Sequence, residues 1–353
     1  MSYSLIEKRL TEGKTIILDG GIGGELQKIG AKMDKGLWCG RCSIDSPDEL
    51  LKVHENYINA GADIITANTY ASTPISMKKY GYQDLIVECN NKSVKIAKEA
   101  AKDKNISVAG SVSTYGYFHK DGIDNMKPSF DEHIKILADT GVDIIILEAM
   151  SSQAQIVETL LECSSKINIP TWLSISCVFD ENKDVNLGYD DDINKSEPQI
   201  YENLKEAMKK FSKLHYGPVL VAHSNINVTE EAVKILKQNY NNKIGAYPNR
   251  GYFVKPEWKF TDKIEPADYL EKAKKIIKSK KIKEITSFEI EDKFFEKKLQ
   301  NFVKKNNLIW NKIKSPMFLN SREEFNDYLL SLIHISEPTR PERIGFSGVW
   351  LEK

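Results

Sequence analysis

Short runs of β-branched and aliphatic residues recur along the chain, and between them lie longer stretches in which apolar residues return every three or four positions. The first pattern has the habit of a buried strand and the second that of an amphipathic helix, so their alternation predicts repeated β-α units around a parallel sheet. The strand candidates are Thr15–Ile22, Asp63–Tyr70, Ile106–Ser113, Val142–Ala149, Thr171–Val178, Pro218–Ser224 and Lys243–Tyr247, with Lys281–Thr286 a weak eighth whose lysines suit a buried strand poorly. Helices are predicted over Pro47–Ala60, Asp84–Lys102, Phe130–Thr140, Ser152–Lys166, Pro198–Leu214, Thr229–Tyr240, Pro266–Lys280 and Asp292–Lys305. Ser46-Pro47 at the start of the first of these and Asn59-Ala60-Gly61 at its end are the start and stop signals such a unit needs.

Near-continuous apolar strands such as Asp143–Leu147 fit either a closed barrel or a doubly wound open sheet. What favours the barrel is where the unusual polar residues fall. Asp19, Asn68, Ser113, Glu148, Ser176, His223 and Tyr247 stand at or near strand C-termini all along the sequence, as in barrel enzymes, and not at one switch point. The predicted fold is α/β, a (β/α)8 TIM-type barrel with a degenerate eighth unit. Closure needs an eighth strand paired with the seventh and the first, and Lys281–Thr286 is the only segment placed to supply it.

The barrel is assigned residues 1–305, with a C-terminal extension at 306–329. Residues 330–353 are set apart as non-native sequence, because Leu330–Arg340 (LSLIHISEPTR) resembles the translation of a transposase-type sequencing adapter. Composition narrows the partners. Fifty Lys plus Arg balance fifty Asp plus Glu over 353 residues, so no global field recruits nucleic acid or an anionic membrane. A mean hydropathy of −0.42, with no apolar run approaching the roughly 20 residues of a membrane span, points to a cytoplasmic protein. Five cysteines, an odd number in a long chain, suit reduced thiols better than a disulfide frame.

The candidate chemistry begins at Asp19-Gly20-Gly21-Ile22-Gly23-Gly24-Glu25, where glycines let the backbone approach a ligand and present N–H groups to an anion. The turn lacks the Lys-Ser/Thr of a P-loop, so nucleotide phosphate is a poor guess. Asp19 and Glu148, at two strand ends, are costly there unless a cation meets them. Two carboxylates for an ammonium group and glycine amides for a carboxylate together make a recognition device for an α-amino acid; structural salt bridges are the competing reading. His223, at the sixth strand end, can serve as ligand, base or substrate contact, or simply as a hydrogen-bonded wall residue. Tyr115, Tyr117 and Phe118 can wall a pocket over a methyl donor. His54 and His133, on helices, read as structural, and Cys39-Gly40-Arg41-Cys42 reads as incidental thiols.

The stretches ILDGGIGGELQKIG, LWCGRCSIDSPDELLKVHENYINAGADIITANTY, ILEAM and GAYPNRGYF resemble the homocysteine S-methyltransferase family, from about Thr15 to about Leu270. The resemblance implies a (β/α)8 barrel that binds homocysteine and moves a methyl group from a sulfonium, ammonium or folate donor to its thiol, giving methionine. It assigns homocysteine binding to Asp19 and Glu148. Gly20, Gly21, Gly24 and Glu25 become the substrate turn, Asn68 and Thr69 the second strand end, and Tyr247 and Asn249 the seventh. It also implies zinc held by a cysteine at the sixth strand end and a Cys-Cys pair at the eighth, which would ionise the thiol. The sequence departs from that pattern: the sixth strand ends Ala222-His223-Ser224-Asn225, and no cysteine follows Cys177. No metal ligand and no resident cofactor are therefore expected. The expected function is methyl transfer to homocysteine or a related thiol amino acid, the partners being that amino acid and the donor. The alternatives are an amino-acid-binding barrel without turnover and an enzyme using Asp19, Glu148 and His223 as acid–base groups.

Overall fold

The computed structural model describes residues 3–116, 122–189 and 201–249, and beyond them 252–254, 257–259, 284–288, 293–305 and 307–313. The chain divides into two compact units, Met1–Glu265 and Pro266–Lys353.

The first unit opens with a helix that the periodicity did not single out, α1 (Tyr3–Thr11), followed by short helices α2 (Ile22–Lys28) and α3 (Cys42–Asp45) and by α4 (Pro47–Asn59). Strand β1 (Ile64–Ala67) leads through α5 (Pro74–Lys79) and α6 (Ile86–Ala101) to β2 (Ser107–Ser113). Helix α7 (Ile123–Thr140) leads on to β3 (Ile144–Ala149), and α8 (Ala154–Ser164) to β4 (Thr171–Ile175). A hairpin of β5 (Cys177–Phe179) and β6 (Val185–Leu187) precedes α9 (Leu204–Leu214), β7 (Val219–Asn225), α10 (Ile226–Asn239) and β8 (Ile244–Asn249). The expected helix Phe130–Thr140 starts two turns earlier, at Ile123, and carries Pro128 inside it.

Strands β1, β2, β3, β4, β7 and β8 lie side by side in that order, all parallel. Each main strand neighbours the previous one with no reversal of direction round the sheet, which is the topology of a TIM-type barrel and not of a doubly wound sheet. Two predicted strands are altered. Thr15–Ile22 shrinks to a single parallel bridge, Leu18 to Ile64, with the Asp19 amide donating to the Ile64 carbonyl at 3.0 Å. Its second half turns into α2 because the glycines after Asp19 end the extended run. Thr171–Val178 breaks at Ser176, beyond which the chain leaves the sheet for the hairpin.

Inward-facing residues explain how the sheet builds a site. Side chains two positions apart share a face of a strand. Ile64, Ala109, Ile144, Ile146, Trp172 and Leu220 form one apolar cluster with Ile6 of α1. Moving two residues toward the C-terminal ends, the same faces become polar: Thr66, Ser111, Glu148 and Ser174. Helix α1 packs at the opposite, N-terminal ends, with Ile6 fully buried, Tyr3 Oη accepting from Trp172 Nε1 at 3.3 Å and Arg9 paired with Asp63. A second, larger cluster fills the layer between the sheet and α6 to α10.

In the second unit, the expected eighth strand forms as Glu284–Phe288, three residues later than predicted. Its partner is Ile309–Ile313, in parallel, reached through the helix Lys293–Lys305. The helix between the two strands is the crossover that a parallel neighbour requires, and the partner described for the expected eighth strand is thus Ile309–Ile313. The extension assigned to 306–329 therefore contains a strand. Ile282, Pro266–Lys280 and 330–353 lie outside the described residues. No described helix is long and apolar enough to cross a membrane.

Candidate active site

Glu148 is the centre of the polar layer. It ends the run Ile144–Leu147 on β3, and the register sets it beside Ser113 of β2 and Ser174 of β4. Ser111 donates its hydroxyl to Glu148 Oε2 at 2.5 Å, and Tyr247 of β8 donates to Oε1 at 2.8 Å. Since the Tyr247 proton goes to the carboxylate, its oxygen accepts from Ser174 Oγ, 2.5 Å away. The result is a chain of hydroxyls across four strands that ends on one carboxylate. Burial pushes the Glu148 carboxyl up, but the facing His223, Ser111 and Tyr247 outweigh it and hold the group below its ordinary range. Burial, with the Glu148 charge beside it, pushes the Tyr247 phenol well above its usual value, so it remains a donor.

His223 stands at an irregularity in β7, where Ala222 pairs with Tyr247 and the next pairing is Asn225 with Asn249. Its φ is 47°, in the left-handed region that non-glycine residues occupy at a cost of about 1–3 kcal/mol. The irregularity leaves the imidazole beside Glu148, Tyr70 and Tyr247, as bulges beside active sites do. Nε2 lies 3.5 Å from Glu148 Oε1, facing it without a formed hydrogen bond. The rings of Tyr70 and Tyr247 stand 5.7 and 5.8 Å from the imidazole, and Tyr115 packs on Tyr70 at 5.8 Å.

Asp19, half-buried at the first strand end, accepts from the Thr66 amide at 2.6 Å and the Thr66 hydroxyl at 2.9 Å. Burial raises its pKa to about 7; the Thr66 bonds oppose this and the Glu148 charge adds to it. Asp19 and Glu148 thus share one electrostatic environment.

Other predicted residues are placed differently. Asn68 is buried, donating to the Cys39 carbonyl at 2.8 Å, and Thr69 is buried between the Ser111 carbonyl and amide. Both spend their hydrogen bonds inside the protein, so they shape the second strand end. Glu25 points along α2 to Lys28, 3.5 Å away. Gly20 lies against Tyr57 and Gly23 against Trp38, whereas Gly21 and Gly24 open onto space. Asn249 ends β8, beside Asn225. Tyr117 and Phe118 lie outside the described residues. Ser111 and Ser174 are the members that periodicity passed over. Ser113, two positions beyond Ser111, shares its face of β2, whereas Ser176 lies past the end of β4, and only the register shows that Ser111 and Ser174 reach Glu148 and Tyr247.

A zinc ion bound as the resemblance implies needs thiolates from the sixth and eighth strands. All five cysteines lie at or before Cys177 and are buried, and burial raises the Cys177 thiol to about 12. Among the described residues no group of three His, Cys, Asp or Glu side chains is placed to hold a metal ion. The donors among the described residues do not fit that ion.

A barrel-type sheet with carboxylates, an imidazole and tyrosines at its C-terminal edge is the architecture of a barrel enzyme or binding protein for a small polar ligand. The family model for homocysteine S-methyltransferase matches residues 16–292, and the chain belongs to that family. Among its relatives, the selenocysteine methyltransferase of Astragalus bisulcatus is 31% identical over 213 residues, 50% of this chain and 63% of that protein. Homocysteine S-methyltransferase 3 of Zea mays is 31% identical over 193 residues, 46% of this chain and 56% of that protein. The chain thus spans less than two-thirds of the length of these two relatives. In fold it is similar to the homocysteine methyltransferase MmuM from Escherichia coli in its metallated form, with a TM-score of 0.55 at 22% identity over 69% of this chain and 86% of that one.

Proposed function

We propose that this chain transfers a methyl group to the thiol of homocysteine or a related thiol or selenol amino acid. The observation that carries the reading is Glu148: a charged carboxylate at a strand end, fixed by Ser111 and Tyr247, in the same electrostatic environment as Asp19. Two carboxylates so placed suit an α-ammonium group, and the open space at Gly21 and Gly24 leaves room for a ligand to approach the backbone. The tyrosines around His223 supply walls for the sulfur and the methyl donor. Membership of the family, and relatives named for homocysteine and selenocysteine, support the choice of acceptor.

Incubating the chain with a methyl-labelled sulfonium donor and homocysteine, and following labelled methionine by mass spectrometry, tests it. Labelled methionine above the uncatalysed rate is the expected result. Binding of methionine with no transfer from a sulfonium, ammonium or folate donor would replace this reading by that of an amino-acid-binding barrel.

A further inference from the structure

Methyl transfer to sulfur needs a thiolate, and a free thiol near pH 7 is mostly protonated. The described residues assemble no metal donor set that could ionise it, and no cysteine follows Cys177. What the sixth strand end does hold is an imidazole in a strained backbone position, its Nε2 buried without a hydrogen-bond partner and 3.5 Å from Glu148. The side chain is 24% exposed, so part of the ring remains open to a ligand. Strain of this kind persists only where its surroundings impose it, and it clusters at functional positions.

Resting on the proposed thiol acceptor, we infer that His223 takes the proton from the acceptor's thiol while Glu148 steadies the imidazolium, so that this chain makes its thiolate with an acid–base pair in place of a thiolate-bound metal. The tautomer that fits carries hydrogen on Nε2, toward Glu148, and leaves Nδ1 to accept. The S–H bond breaks and its proton passes to Nδ1. The sulfur lone pair then forms the new S–CH3 bond as the donor's S–CH3 bond breaks, its electron pair staying on the donor sulfur, which leaves as a neutral thioether. His223 afterwards returns its proton to solvent. The roles parallel those in hydrolytic triads, where a carboxylate orients an imidazole that serves as base.

The test uses His223→Asn, because Asn tolerates the left-handed conformation and has no basic nitrogen. Binding is read by calorimetry with methionine, which has no thiol, and ionisation by the ultraviolet absorbance of bound homocysteine thiolate, both with a chelator present. The wild-type chain is expected to show the thiolate band. The variant is expected to bind methionine but lose the band, with kcat toward the thiol falling by about 10²–10⁴-fold, the usual worth of a general base. A selenol acceptor, the stronger acid and already ionised at neutral pH, should lose far less. A thiolate band that survives in His223→Asn overturns the inference, as does a wild-type band that vanishes with chelator and returns with zinc. If neither methionine nor homocysteine binds the wild-type chain, the acceptor itself is wrong, and the inference falls with it.

Discussion

Asp19 carries the clearest pH signature at the scale of single residues. Its folded pKa of about 7 lies above the ordinary 3.8, so folding stability drawn from its neutral form is present below pH 3.8 and is lost as pH rises through 7. A bound ammonium group reverses the preference by favouring the charged carboxylate. Methionine affinity, measured by calorimetry, should therefore rise by roughly tenfold between about pH 6 and about pH 8, and Asp19→Asn should flatten the profile. A wild-type profile that is flat across this window would remove Asp19 from ammonium recognition. His54 offers a second residue-scale test. It is fully buried on α4 with both ring nitrogens unpartnered, and burial lowers its pKa to about 4. The unfolded chain takes up the proton first as pH falls below 6.5, so this residue costs stability progressively from 6.5 down to 4. His54→Leu should stabilise the protein by about 1 kcal/mol at pH 7 in urea unfolding, by removing an unsatisfied buried polar group, and by more at about pH 5. Equal or lower stability of the variant at about pH 5 would show that the imidazole is satisfied.

The turn into α2 shows at the element scale what the glycines do. Alanine normally stabilises a helix over glycine by about 1 kcal/mol. At Gly23 that gain loses to packing, since a Cβ there would overlap the Trp38 ring. Gly23→Ala should destabilise by about 1–3 kcal/mol. At Gly21, the N-cap, a Cβ meets nothing within 4 Å. Gly21→Ala should leave the unfolding midpoint within about 0.5 kcal/mol of wild type, yet weaken methionine binding if that open space receives the ligand. Unchanged binding would make the turn purely structural. The same element marks where sequence reading ran out. Thr15–Leu18, three β-branched residues and a leucine, has strand composition, yet only Leu18 bridges to β1, because pairing depends on a neighbour's register that composition does not encode. Helix α1 was passed over for a like reason: Ile6 is held by barrel-bottom residues far away in sequence.

For the whole molecule, the order of strands was legible because each buried strand is an apolar run of the right length, and the parallel sheet β1-β2-β3-β4-β7-β8 follows from it. Glu148, Tyr247 and His223 were legible as polar residues at the ends of such runs. Their serine partners were not, since Ser111 and Ser174 acquire meaning only when neighbouring strands set them beside Glu148 and Tyr247. The eighth strand is legible in position but not in its partner, because nothing in the pattern of residues 306–329 ties Ile309–Ile313 to Glu284–Phe288. What unites the site is a single demand: a carboxylate at the end of an apolar strand must be met by donors, and the proposed ligand's ammonium group would meet it as a cation.

Thermal unfolding with and without ligand tests that demand most directly. A ligand that binds the folded chain at a concentration about a hundred times its Kd stabilises by about 2.7 kcal/mol. Homocysteine and methionine should each raise the unfolding temperature of the wild-type chain, and Glu148→Gln, which keeps the shape and removes the charge, should abolish most of the rise. Equal stabilisation of the variant, or none of the wild type, would contradict a thiol amino acid held at Glu148.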